Sequence, residues 1–117
     1  EEKQAKDIMN NTLITLNKEE KLENAIKLFS KHNISQIPIK EKNKIIGLLT
    51  ESSILNNIQN LKDKTLAEFM EEAPPIIAKN AKIAVISSLL KFYHILIVQN
   101  NGAFIGLITK ADIIRSL

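Results

Sequence analysis

Apolar residues recur at helical spacing twice along the chain, each time ahead of two short apolar runs. Over residues 20–32, Leu22, Ala25, Ile26, Leu28 and Phe29 fall on one face and Lys and Glu on the other, which predicts an amphipathic helix. Residues 34–39 and 45–49 are β-rich runs, and the polar stretch 40–44 between them has hairpin length. Thr50 then has the position of an N-cap for a helix predicted over 51–58. The order returns with a helix over 80–92 on Ile83, Ile86, Leu89 and Leu90, strands at 95–98 and 104–108, and a last helix capped by Thr109 and reaching Leu117. The second strand pair turns through Asn100-Asn101-Gly102, whose Asn-Gly step is a strong hairpin signal. Pro74 and Pro75 end a helix near Glu72 and set an extended entry into Ile76-Ile77. The strands of both hairpins are nearly all apolar, so their sheets are expected to be covered on both faces, the halves packing on each other with pseudo-twofold symmetry.

The recurrence extends to residue identity. IIGLLTESSI at 45–54 returns 59 residues later as FIGLITKADI at 104–113, with five of ten positions identical and Ser53 standing where the second copy has Asp112. Ile37-Pro38-Ile39 answers Leu96-Ile97-Val98 at the same offset. Further upstream the offset is 61, pairing Asp7-Ile8-Met9 with Glu68-Phe69-Met70, so the second copy lacks two residues between Leu90 and Leu96. A period this long in 117 residues means two supersecondary units, joined through the polar stretch 56–64.

Composition narrows the chemistry. There is no Cys, and His32 and His94 are the only histidines, so disulfides and thiolate metal sites are excluded and a metal centre has little to build from. The net charge is +3, but the basic residues are scattered among 13 acids and Arg115 is the only arginine, a poor fit to nucleic-acid recognition. Carboxylates stand singly or in exposed pairs such as Glu71-Glu72, and Ser52-Ser53 and Ser87-Ser88 lack an obvious base, so no catalytic constellation emerges. No apolar run is long enough to span a bilayer, no signal-peptide pattern opens the chain, and a cytoplasmic module with no membrane partner is expected. The chain opens on Glu rather than Met, which suits a piece of a longer protein.

Asp7-Ile8-Met9, Leu13-Ile14-Thr15, Glu23 to Ala25, Ile34-Ser35-Gln36-Ile37-Pro38 and Gly47-Leu48-Leu49-Thr50 together resemble the CBS (cystathionine β-synthase) domain pattern, which ends in G-h-h-T-x-x-D (h, apolar). The pattern appears twice in correct order, so the chain resembles a tandem CBS pair, a Bateman module. Its compact second copy is similar to the CBS pairs attached to archaeal helix-turn-helix transcriptional regulators. The resemblance implies an α+β fold of two pseudo-twofold-related β-α-β-β-α motifs packed sheet to sheet, motif 1 over 1–60 and motif 2 over 61–117. It implies a non-enzymatic regulatory sensor that binds AMP, ADP, ATP, S-adenosylmethionine or methylthioadenosine as effector in the cleft between motifs, with no cofactor. A homodimer is expected, and a DNA-binding domain outside this chain is a possible partner.

Carried onto these positions, Thr109 and Asp112 would hold the ribose, since a carboxylate can accept both hydroxyls of a vicinal diol. Ile76, Ile77, Leu96 and Ile97 would flank the base, and His94 is a candidate phosphate contact. A second, less well equipped cleft would comprise Ile14, Thr15, Ser35, Ile37, Pro38, Thr50 and Ser53. There the family's Asp is replaced by Ser53, which lacks charge-assisted acceptance. Asp112 also reads as a first-turn carboxylate favoured by the helix dipole. Two alternatives to the sensor stand: a purely structural dimerisation module, and a nucleic-acid-binding regulatory domain.

Overall fold

Two three-stranded sheets carry the fold, one from the hairpin of each repeat. The computed structural model describes residues 2–61 and 64–117. In chain order the elements are α1 (Ala5–Ile8), β1 (Leu16–Asn17), α2 (Leu22–His32), β2 (Gln36–Glu41), β3 (Lys44–Thr50), α3 (Glu51–Leu55), a 3-10 turn (Ile58–Asn60), α4 (Leu66–Phe69), β4 (Ile76–Ala78), α5 (Ile83–Leu89), β5 (Ile95–Asn100), β6 (Ala103–Thr109) and α6 (Lys110–Ser116). The strand orders are β1-β2-β3 and β4-β5-β6; in each sheet the first pair is parallel and the second antiparallel. Both hairpins carry a register shift at the same place, between Ile39 and Lys40 and between Val98 and Gln99. The mixed α+β architecture is the one the sequence predicts.

The hairpins are tighter than the polar stretch 40–44 suggests, because Lys40 and Glu41 pair with Ile45 and Lys44 and leave a two-residue turn. In the second hairpin Asn101 (φ 51°) and Gly102 (φ 82°) supply the two left-handed positions that a type I′ turn needs. The helices are shorter than their periodicity predicts. The helix predicted over 51–58 stops at Leu55, where the Asn57 side-chain amide donates to the Ser53 carbonyl (2.7 Å) and competes with the helical bond. The helix predicted over 80–92 spans Ile83–Leu89, because the Ala81 carbonyl accepts from Ala5 N–H (2.9 Å) and Lys82 is still extended, and the two missing residues shorten its end. His32 lies in the last turn of α2, which Asn33 closes in the left-handed conformation.

The chain divides into two compact units, one formed by residues 14–73 and the other by 1–13 with 74–117. The leader of each repeat therefore belongs to the unit built on the other repeat's sheet. Leu66 and Phe69 of α4 are buried with Leu16, Leu22, Ala25, Ile37, Ile39, Leu49 and Ile54. In the other unit Ala5 and Ile8 of α1 are buried with Ile77, Ile86, Leu90, Leu96, Val98 and Ile108. All of Ile95 to Val98 is buried, so both faces of β5 are covered, as its unbroken apolar run requires.

Backbone pairing fixes the leaders. Asn10 and Leu107 exchange N–H···O bonds of 2.8 and 3.0 Å, and Leu48 and Glu71 do the same at 3.1 and 2.7 Å, so each leader covers the outer edge of a hairpin. These approaches need Gly47 and Gly106. A Cβ on Gly106 would lie 2.7 Å from the Asn10 carbonyl oxygen, and one on Gly47 would lie 2.5 Å from Met70 Sδ.

Each leader helix also opens on a carboxylate that caps its first turn, Asp7 Oδ2 accepting from Gln4 N–H (2.9 Å) and Glu68 Oε2 from Thr65 N–H (2.7 Å). The Thr65 N–H donated to Glu68 Oε2 (2.7 Å) holds the Glu68 carboxyl below the usual range, helped by Lys64 at 3.7 Å. Because that pKa is lowered by folding, its support of α4 is present above the ordinary glutamate range and is lost as pH falls through the lowered value. An NMR titration is expected to find Glu68 below an ordinary glutamate; a value at or above it would show that the cap does not favour the ionised form.

Candidate functional site

The Thr that ends β6 and the Thr that ends β3 each face the third residue of the following helix, and there the repeats converge in geometry and diverge in charge. Extended backbone at Thr109 and Thr50 (φ −117° and −119°) turns directly into α6 and α3. Thr109 N–H donates to Asp112 Oδ2 (2.8 Å), Thr109 Oγ1 donates to the same oxygen (3.0 Å), and Asp112 N–H returns a bond to Thr109 Oγ1 (3.3 Å). Asp112 is only 8% exposed, and its second oxygen, Oδ1, accepts from the Arg115 guanidinium at 2.6 Å. Arg115 itself is largely exposed, so solvent screens the pair from that side.

At Thr50 the same reciprocal cap is made with a hydroxyl. Thr50 N–H donates to Ser53 Oγ (3.2 Å), Ser53 N–H donates to Thr50 Oγ1 (3.0 Å), and Ser53 Oγ donates to the Thr50 carbonyl (3.0 Å). Replacing Asp by Ser thus keeps the cap and removes the charge. A carboxylate is present nonetheless: Glu71 Oε2 accepts from Thr50 Oγ1 at 2.7 Å. Glu71 reaches it because its backbone is paired with Leu48, two residues back along β3. Asn10 holds the matching place beside Leu107, but its Oδ1 accepts from Thr12 N–H (2.9 Å). Sequence reasoning had Glu71 only as one of an exposed acidic pair. The signal that would have found it is the 61-residue offset, which sets Glu71 opposite Asn10.

The other sequence-predicted residues fall around these two centres. Ile95 and Gln36 are the register partners of Thr109 and Thr50, so exposed His94 and Ser35 each stand one residue from a Thr's partner. Ile76 pairs with Ile97, and Ile77 with Val98. Ile77 and Leu96 are part of the helix-side core, whereas Ile76 is 41% exposed. In the 14–73 unit Ile37 is core, Pro38 is fully buried, and Ile14 and Thr15 are half-buried ahead of β1. Apart from this site, Ile26, Phe29, Ser30, Glu51, Ile54 and Leu55 line an apolar groove of about 280 Å³ between α2 and α3. Among the described residues no group of three His, Cys, Asp or Glu could hold a metal ion, and no helix is long and apolar enough to cross a membrane.

Comparison with known proteins agrees with this architecture. The chain is 30% identical over 104 residues to the uncharacterised protein MJ1232 of Methanocaldococcus jannaschii, matching 86% of this chain and spanning 35% of that relative's length. Among solved structures, the CBS domain pair of protein MJ0100 in complex with 5′-methylthioadenosine and S-adenosyl-L-methionine superposes with a TM-score of 0.84, at 24% identity, covering 99% of this chain and 96% of that one. The CBS domain of the bacterial CNNM/CorC family Mg2+ transporter in complex with ATP gives 0.82 at 23% identity, covering 96% and 84%. The model of the CBS domain matches twice, at residues 5–60 and 66–117. The chain belongs to the CBS-domain family as a tandem pair.

Proposed function

We propose that the chain is a non-catalytic ligand sensor that binds an adenosine-containing small molecule at the Thr109–Asp112 centre and passes the binding event to an effector. The observation that carries this reading is the buried Asp112 carboxylate held on Thr109 beside the exposed Arg115. A ribose diol donates two O–H groups, and a fixed carboxylate is the acceptor that matches them, with the largely exposed Arg115 guanidinium paired to it as the cation an anionic group would meet. Ile76, 41% exposed on β4, is the apolar residue suited to one face of the base, with its strand partner Ile97 buried behind it. That two proteins of the same fold were solved with S-adenosylmethionine, methylthioadenosine or ATP supports the choice of ligand class. Signalling then requires that the ligand bind two arrangements of the module with different affinity.

Isothermal titration with ATP, methylthioadenosine and S-adenosylmethionine tests the proposal. Saturable binding is expected for at least one, and Asp112→Asn is expected to weaken it by roughly 5- to 30-fold, the cost of losing charge-assisted acceptance. A folded Asp112→Asn variant with wild-type affinity would remove Asp112 from the site. Silence with every adenosyl ligand would favour the structural reading, in which the chain serves to dimerise. That second reading has its own observation: the apolar groove between α2 and α3, with Leu55 64% exposed at its edge.

A further inference from the structure

We infer that Glu71 sets the ligand class of the Thr50 site, turning it toward an adenosine compound without phosphates and away from nucleotides. This rests on the sensor reading above and extends it to the repeat that lacks the family's Asp. Thr50 has one hydroxyl proton, and Glu71 Oε2 takes it at 2.7 Å. Ser53 has one, with the Thr50 carbonyl at 3.0 Å and Thr50 Oγ1 at 2.9 Å to accept it. Neither hydroxyl is left to donate to an incoming anion. What the centre offers a ligand is the remaining acceptor capacity of an exposed carboxylate, which suits O–H or N–H donors and repels a phosphate.

Two further observations sharpen the assignment. Glu71 has no ion-pair partner among the described residues, whereas Asp112 is paired with Arg115 at 2.6 Å. In the place of Glu71, the Thr109 site has the uncharged Asn10. The same Thr is therefore set in a net negative environment in one unit and in a charge-compensated one in the other.

The test is the ratio of ATP to adenosine affinity, measured by calorimetry on the whole chain. Glu71→Gln keeps an acceptor for Thr50 and the backbone pairing, and is expected to shift the ratio toward ATP by about tenfold, the order of one removed charge close to a phosphate. The reciprocal Asn10→Glu is expected to shift it toward adenosine. Glu72→Gln, a control for net charge, is expected to leave it unchanged. A wild-type ratio in Glu71→Gln, or an equal shift in Glu72→Gln, overturns the assignment while leaving the sensor reading intact. If wild type binds neither compound, the sensor reading fails and the assignment falls with it.

Discussion

Leu66→Ala is expected to cost about 2–5 kcal/mol of stability, the range for truncating a fully buried leucine, out of the roughly 5–15 kcal/mol that holds a domain together. Leu66 is 0% exposed, and its side chain is enclosed by the core of the 14–73 unit although it belongs by sequence to the second repeat. Urea denaturation followed by far-UV circular dichroism measures the effect. Leu55→Ala, at a side chain 64% exposed, is the comparison and should change stability by about 0.5 kcal/mol or less. The same reasoning predicts that a fragment ending at residue 60 will not fold, because it leaves the pocket for Leu66 and Phe69 empty. A Leu66→Ala loss under about 1 kcal/mol would mean that α4 contributes little to that core.

Gly106→Ala is the second large effect. Its Cβ would lie 2.7 Å from the Asn10 carbonyl oxygen and 2.8 Å from Met9 Sδ, contacts that side-chain rotation alone does not relieve. Either the Asn10–Leu107 pairing opens or β6 bends away, at a cost of about 1–3 kcal/mol for overpacking. Gly47→Ala makes the closer contact, 2.5 Å, but with the sulfur of Met70, while the Glu71 carbonyl oxygen is 3.1 Å away. A methionine side chain has three rotatable bonds and can move. The expected order of destabilisation is thus Gly106→Ala above Gly47→Ala, the reverse of the order of closest distances. Thermal unfolding of the two variants decides it, and equal midpoints would show that the leader backbone yields as readily as a methionine.

Most of the fold was legible because it rests on local patterns that occur twice. The helical period through Leu22, Ala25 and Phe29, the Asn101-Gly102 turn and the capping positions of Thr50 and Thr109 are each decided within a few residues. Helix lengths were less legible, because backbone groups at Lys79 and Ala81 are used by β5 and α1, partners that periodicity does not register. The assignment of leaders to units was not legible at all. Both are short amphipathic turns, and each is placed by long-range pairing, at Leu48 and at Leu107, that local pattern does not register.

The site followed the same division. Thr109 and Asp112 are three residues apart, so their contact could be read from spacing. Glu71 is 21 residues from Thr50 and depends on the leader's placement, so the sequence showed a missing carboxylate where the structure has one from elsewhere. The apolar candidates separated by strand parity, with Ile77 and Leu96 directed to the core.

The exchange of leaders also bears on how such a chain can be inherited. Each Thr centre draws on both copies of the duplicated segment, Thr50 with Glu71 and Thr109 with the strand edge that Asn10 covers. A recombination event that swapped in a foreign second copy would replace Asp112 and Glu71 together, altering the chemistry of both centres at once. A point substitution can change one centre alone, and for the Thr50 centre the decisive codon lies in the other repeat.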